Sequence, residues 1–332
     1  MNTPTTRMGR TGLMVSRLAL GTMTFGLQTD EATACEILNE AASAGINFID
    51  TADVYPLGGD LETVGRTEEI LGRWLRGQRG RYIVATKAVG KMGPNAWDQG
   101  ASRKHLLDAI DASLARLHTD YVDLFQLHSD DRTTPLEEMV EGLNHIVASG
   151  RARYVGVSNF LAYRLAGLLG KAEAKNLVRI VTVQPRYSLL FREIERELLP
   201  LASEEGIGVI PYNPLAGGLL TGKHRAVSAP PPGTRFTLGS AAANYQQRYW
   251  NEGAFETVAR FVEIARRIGI SPTTLAIAWV LANPAITAPI LGASKPSQLA
   301  DSIAAASYQI DPAIKEELDQ LTASYRLGDA TR

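Results

Sequence analysis

Four residues in the first half of the chain form a proton-transfer set if the fold brings them together. Asp50 follows the apolar run Ile46-Asn47-Phe48-Ile49, Lys87 follows Ile83-Val84-Ala85-Thr86, and His128 follows a third run that ends at Leu127. Tyr55 lies in the loop that begins at Asp50. A lone lysine after a strand is ordinarily a surface charge. At the half-buried rim of a sheet an unpaired charge is costly, so Asp50 and Lys87 are expected to pair. A desolvated ammonium close to Tyr55 should stabilise the phenolate and draw its pKa down from about 10. A neutral His128 then orients a substrate oxygen or shares its proton. Tyrosine is a poor acid unless perturbed, so the chemistry needs all four types together.

Such a set must be carried by strands whose ends converge. Apolar runs rich in Val, Ile and Leu recur at residues 15–20, 46–49, 82–85, 122–127, 154–157, 180–183, 207–210 and 288–291. Stretches of helical periodicity separate them. Residues 102–117 place Leu106, Leu107, Ile110, Leu114 and Leu117 on one helix face. A helix entered at Thr134, with Pro135 in its first position, carries Met139, Val140, Leu143 and Val147 and stops before Gly150. Eight strands, each followed by helix, predict a closed (β/α)8 barrel, the TIM-barrel class, over one domain of residues 1–332. No strand is followed by G-x-G-x-x-G; Gly21 and Gly26 come nearest, with the wrong spacing. In such a barrel the reacting groups stand at the carboxyl ends of the strands. Those positions hold Thr22, Asp50, Lys87, His128, Ser158, Asn159, Gln184, Tyr212, Gly292 and Ser294.

Other segments lie outside the repeat. Residues 6–15, around Gly9-Arg10-Thr11-Gly12, read as a hairpin plugging one barrel end. Residues 222–251 contain Pro230-Pro231-Pro232-Gly233 and little helical pattern, as in a lid-like loop after strand seven. Helices are expected at 254–268, 272–282 and Pro312–Leu321, then a C-terminal tail over 322–332.

Composition narrows the function classes. Lys plus Arg total 34 against 35 Asp plus Glu, a net charge of −1 that lacks the basic footprint of a nucleic-acid binder. One cysteine, Cys35, excludes an intrachain disulfide and a cysteine metal cluster. No run approaches a membrane span, and Met1 to Arg10 lacks an apolar leader core, so a cytoplasmic protein is expected.

The motifs Phe48-Ile49-Asp50-Thr51-Ala52-Asp53-Val54-Tyr55, Ala85-Thr86-Lys87 and Asp123-Leu124-Phe125-Gln126-Leu127-His128 resemble the aldo-keto reductases. So do Val155-Gly156-Val157-Ser158-Asn159-Phe160 and Gln184-Pro185-Arg186-Tyr187-Ser188-Leu189-Leu190, in the family's order, and the resemblance runs from Gly9 to about Leu321. It implies a (β/α)8 barrel and reversible carbonyl reduction with an extended nicotinamide cofactor. It assigns the tetrad Asp50, Tyr55, Lys87 and His128, with Tyr55 as proton donor. Relatives that reduce an activated C=C carry Glu at the histidine position, whereas this chain has His128.

The same resemblance supplies cofactor contacts. Thr22 and Asp50 border the site; Ser158, Asn159 and Gln184 suit the nicotinamide carboxamide, and Tyr212 offers a ring to stack on the nicotinamide. Pro214, Leu215, Gly217 and Leu219 belong to a small-residue segment along the pyrophosphate, with charge from Lys223 and, on loop closure, Arg235. Gly292, Ser294, Lys295, Gln298 and Ser302 surround a helix start suited to a 2′-phosphate, which favours NADPH over NADH. The family frequently has Arg near this point and Asn where Ser302 stands. Phe25, Val54, Met92, Trp97 and Tyr187 are candidate substrate walls for a small or medium carbonyl compound, such as a sugar derivative or aromatic aldehyde.

The remaining candidates are weaker. His105, His118, His145 and His224 lack ligand spacing, so no metal is expected. Asp130 and Asp131 fit a solvated loop, Tyr245, Tyr249 and Trp250 fit lid contacts or packing, and Cys35 fits a buried, inert position. Two other functions compete with carbonyl reduction: a Schiff-base aldolase using Lys87, and a module that binds the cofactor and reports redox state to a partner. Oligomeric state is not legible.

Overall fold

The computed structural model describes residues 3–224 and 229–326. Thr5–Arg7 (β1) and Met14–Ser16 (β2) pair antiparallel, as the expected hairpin. Eight further strands form one parallel sheet: Ala19–Gly21 (β3), Phe48–Asp50 (β4), Ile83–Ala88 (β5), Val122–Leu127 (β6), Ala152–Ser158 (β7), Ile180–Gln184 (β8), Gly208–Val209 (β9) and Ile290–Gly292 (β10). Their order is β10-β3-β4-β5-β6-β7-β8-β9. The two outer strands meet, because Val209 bridges Ile286 and the Ile290 N–H donates to the Pro211 carbonyl at 2.8 Å. The sheet therefore curls into the expected (β/α)8 barrel.

Helices Glu31–Ser43 (α1), Arg66–Leu75 (α2), Arg103–Leu117 (α3), Leu136–Ala148 (α4), Ala162–Ala174 (α5) and Leu198–Glu205 (α6) follow β3 to β8 in turn. Ala242–Tyr249 (α7), Glu252–Arg267 (α8) and Pro272–Leu281 (α9) precede β10, and Leu299–Ala304 (α10) and Pro312–Leu321 (α11) follow it. The α3 helix begins where Ser102 accepts from the His105 N–H, and it buries Leu106, Ile110 and Leu117. At α4 the expected start moves by one residue. Pro135 takes the cap position, while the Thr134 hydroxyl donates to Asp131 Oδ2 at 2.6 Å.

The two-residue period of each strand sets what faces the axis. Phe48, Ala85, Leu124, Ile210 and Ala288 pack together inside the barrel, joined by Met8 and Val15 from the hairpin side. Their neighbours Ile49, Val84, Phe125, Val183 and Val209 point outward to the helices. The hairpin seats closely: a Cβ on Gly9, whose φ is +52°, would lie 2.5 Å from the Gly206 oxygen.

Two segments depart from expectation. The run 15–20 is not one strand, because Arg17 turns aside to donate to the carbonyls of Leu281 at 3.0 Å and Thr287 at 2.8 Å. Part of the lid-like loop is helical: α7 buries Tyr245 and Tyr249, one turn apart, while Phe236 stacks on Trp250 with centroids 4.5 Å apart. Residues 225–228 of that loop, and 327–332 of the tail, lie outside the described residues. The described start of the tail packs on Arg192, which donates to the Thr322 hydroxyl at 2.9 Å. Among the described residues no helix is long and apolar enough to cross a membrane.

Candidate active site

Two residues beyond the axis-facing Phe48, Ala85 and Leu124 come Asp50, Lys87 and Gln126, so the same parity that fills the barrel turns these three polar groups inward at its mouth. Lys87 Nζ lies 2.5 Å from Asp50 Oδ1 and donates also to the Thr51 carbonyl at 2.7 Å; both charged side chains are buried. Asp50 Oδ2 accepts from Gln184 Nε2 at 2.8 Å and Gln126 Nε2 at 3.2 Å. The expected ion pair thus exists, and each carboxylate oxygen has a donor. Gln126, quoted above only within a motif, joins the site through its place in the strand period.

Tyr55 closes the top of this stack. Its ring centre is 5.0 Å from Lys87 Nζ and 5.6 Å from the His128 ring, which meets it edge-on at 79°. Burial pushes the Tyr55 phenol above its usual pKa; the Lys87 charge pulls the other way and does not prevail. The expected downward shift is therefore not found in the protein without ligand, where Tyr55 holds its proton firmly. Burial opposes the Lys87 ammonium as well, yet Asp50 and Tyr55 more than offset it, so Lys87 stays charged above its ordinary range. Burial, and then the Lys87 charge, hold His128 down to about 3, leaving it neutral.

A cavity of about 1170 Å³ runs from Tyr55 and His128 past the ends of β7, β8 and β9 to the end of β10. Ser158 donates to the Gln184 carbonyl at 2.9 Å, and Asn159 Nδ2 to the His128 carbonyl at 2.9 Å. The Tyr212 hydroxyl donates to Asn159 Oδ1 at 2.8 Å, which pins the ring at the rim. Beyond it, Asn213 Oδ1 accepts from the Gly217 N–H at 2.7 Å, and Gly217 and Gly218 take φ values of +70° and +97°. A side chain on Gly217 would meet the Tyr245 ring at 3.0 Å. Lys223 and Arg235 line this stretch without an acidic partner among the described residues, and Arg235 Nη1 is buried with no hydrogen-bond acceptor. Burial, and then the Arg235 charge, lower the pKa of Lys223, and burial lowers that of Arg235.

A strap formed by residues 233–239 crosses this groove. Gln28 Nε2 donates to the Gly233 carbonyl at 2.8 Å, and Gly239 abuts Gly58 so closely that a Cβ would lie 2.1 Å from its oxygen.

Thr22, Pro214, Leu215, Gly292, Ser294, Lys295, Gln298 and Ser302 line the cavity with the tetrad's Asp50, Tyr55 and His128. Gln298 Oε1 accepts from the Ser294 N–H at 2.8 Å. Leu219 is not on the wall; it is fully buried in the core. Of the five substrate-wall candidates, Val54 alone lines the cavity among the described residues. Phe25 is packed in the core, and Tyr187 turns away to donate to Glu195 at 2.8 Å and stack on Trp279. Met92 and Trp97 lie on a loop beyond the wall, where Trp97 is exposed.

Smaller expectations are also revised. Asp130 is not solvated: Arg164 and Arg132 both pair with it. Asp131 ties the loop to the Ala101 N–H. Cys35 is half-buried rather than buried. Asp53, quoted above only as part of a motif, is wholly buried beside Glu68, and burial followed by that neighbouring charge drives its pKa well above the carboxylate range.

Comparison with known proteins agrees with the geometry. An uncharacterized oxidoreductase of Bacillus subtilis, YrpG, is 41% identical over 324 residues, with 95% of each chain covered. A probable voltage-gated potassium channel subunit beta of Arabidopsis thaliana is 36% identical, with 96% of each chain covered. The versiconal hemiacetal acetate reductase of Aspergillus parasiticus is 31% identical, again with 96% of each covered. The family description "Aldo/keto reductase family" matches residues 17–323, and the chain belongs to that family.

Proposed function

We propose that the protein is a cytoplasmic NADPH-dependent reductase of aldehydes or ketones, built on one barrel domain with residues 222–251 as its lid. The observation that carries this reading is the buried Asp50–Lys87 pair beneath Tyr55, with a neutral His128 at its edge. The family generally uses NAD(P)H, and the groove fits such a cofactor on its own chemistry. Among the described residues Lys223 and Arg235 have no acidic partner, Arg235 Nη1 is buried without an acceptor, and Gly218, with a φ of +97°, puts no side chain beside Lys223. Lys295 and Ser294, at the far end of the groove, are the residues for a 2′-phosphate.

When bound, the reduced nicotinamide supplies hydride to the carbonyl carbon. Tyr55 gives its proton to the carbonyl oxygen as negative charge grows there. His128, being neutral, can donate a hydrogen bond to the same oxygen without competing for the proton. Lys87 stays charged through Asp50 and stabilises the phenolate once Tyr55 has given up its proton. Ser158, Asn159 and Gln184 would hold the nicotinamide amide, and Tyr212 would offer its ring. The strap excludes water above them.

A second reading is an accessory module that binds the cofactor and reports redox state, supported by the channel-subunit relatives at 36% identity. An aldolase is disfavoured, because Lys87 is buried and hydrogen-bonded as an ammonium and cannot act as a free amine. NADPH titration by fluorescence, followed by NADPH consumption on a panel of aldehydes and ketones, decides among these. Tight binding with turnover supports the reductase, and tight binding with none on any carbonyl supports the module.

A further inference from the structure

Among the described residues, five cations line the cavity: Lys91, Lys223, Arg235, Arg248 and Lys295. Lys223, Arg235 and Lys295 lie along the stretch from β9 to β10 and match the phosphates of the cofactor proposed above. Lys91 lies apart from that stretch, and Arg248 stands at its β9 end, interacting with the Tyr212 hydroxyl. Lys91 follows the end of β5, on the Tyr55 and His128 side of the barrel. There Gly90 sits against Val54, so closely that a Cβ on it would lie 2.2 Å from Val54 Cγ1. The turn that delivers it is strained, since the β-branched Val89 has a φ of +118°. Arg248 reaches the cavity from α7, with its guanidinium carbon 6.0 Å from the centre of the Tyr245 ring. Neither cation has an acidic partner among the described residues. The acids on the wall are committed elsewhere: Asp50 to Lys87, Asp60 to its own turn at Glu62, and Asp301 to Ser271.

Resting on the reductase reading, we infer that Lys91 and Arg248 recognise an anionic group on the substrate, so that the preferred substrate is a carbonyl compound bearing a carboxylate or phosphate. Both cations are exposed at the mouth, where they disfavour a cationic substrate. An anion held at the mouth gains charge-assisted hydrogen bonds from them. Such a group also orients the carbonyl toward Tyr55, because its position is fixed from two sides of the mouth.

The test compares benzaldehyde with 4-carboxybenzaldehyde, and glyceraldehyde with glyceraldehyde 3-phosphate, in the NADPH-loaded enzyme at low and high salt. The expected result is a kcat/KM at least tenfold higher for one or both anionic partners, with the advantage shrinking as salt rises. Lys91→Gln and Arg248→Gln should each cut the anionic-to-neutral ratio about fivefold, and Lys91→Arg should restore most of it. A wild-type ratio near one for both pairs, or a ratio that neither Gln variant moves, overturns the inference while leaving the reductase reading intact. No turnover of any of the four compounds overturns both.

Discussion

Lys87 and Asp50 form an ion pair of 2.5 Å in the barrel mouth, and neither side chain is open to water. The pair fixes a positive charge 5.0 Å from the Tyr55 ring centre in a place where a lone ammonium could not persist. Lys87→Met should therefore leave Asp50 as a buried, unbalanced charge and destabilise the fold by about 3–5 kcal/mol. Urea unfolding measures this, and Asp50→Asn/Lys87→Met together should be less damaging than Lys87→Met alone. A loss below about 1 kcal/mol for Lys87→Met contradicts the pairing. Because the folded state holds the Lys87 proton more tightly than the unfolded chain, this stabilisation is complete at neutral pH. It fades only as pH rises beyond the ordinary lysine range of about 10.4.

The pH dependence of activity separates His128 from an ordinary histidine. With its pKa held down to about 3 and that of Tyr55 pushed up, neither titrates near neutrality in the free protein. For carbonyl reduction, kcat/KM should stay flat between about pH 5 and 9, with no inflection at the ordinary histidine value of about 6.5. Stability has a matching sign: folding opposes His128 protonation, so its contribution is intact above about pH 6.5 and declines as pH falls toward 3. An acid limb at 6.5 that disappears in His128→Asn would refute the neutral assignment.

Gly239 holds the strap down. Its φ is +46°, and a methyl group there would strike the Gly58 carbonyl at 2.1 Å. Gly239→Ala should lift the strap without touching the tetrad. Stopped-flow displacement should then show NADPH leaving at least tenfold faster, with far-ultraviolet circular dichroism unchanged. An unaltered off-rate would mean that the strap does not retain the cofactor.

Lys295 tests the phosphate end. On the NADPH reading Lys295→Ala would remove one charge-assisted contact, so NADPH should weaken about tenfold and NADH about twofold or less. Equal weakening in titrations of the two cofactors removes the 2′-phosphate assignment.

Much of the architecture could be read from residue patterns because barrel strands and their helices each bury one regular face. The apolar runs, the α3 stripe of Leu106 and Ile110, and the Asp50–Lys87 pairing all follow from local periodicity and the cost of lone charge. What failed depended on distant partners. The break at Arg17 needs carbonyls from residues 281–287, and Tyr187 is drawn from the rim by Trp279 and Glu195. The α7 segment, Ala-Ala-Asn-Tyr-Gln-Gln-Arg-Tyr, buries only Tyr245 and Tyr249 over its two turns, too few to announce a helix. The sign of the Tyr55 shift depended on the completeness of burial, which a motif cannot weigh against one nearby cation.

Tyr55→Phe tests the account most directly, because it deletes the proposed donor oxygen and keeps the ring that packs against His128. The account predicts a fall in carbonyl turnover of about a thousandfold, with NADPH affinity within threefold of wild type. Turnover within tenfold of wild type, in enzyme shown to bind NADPH, would contradict it.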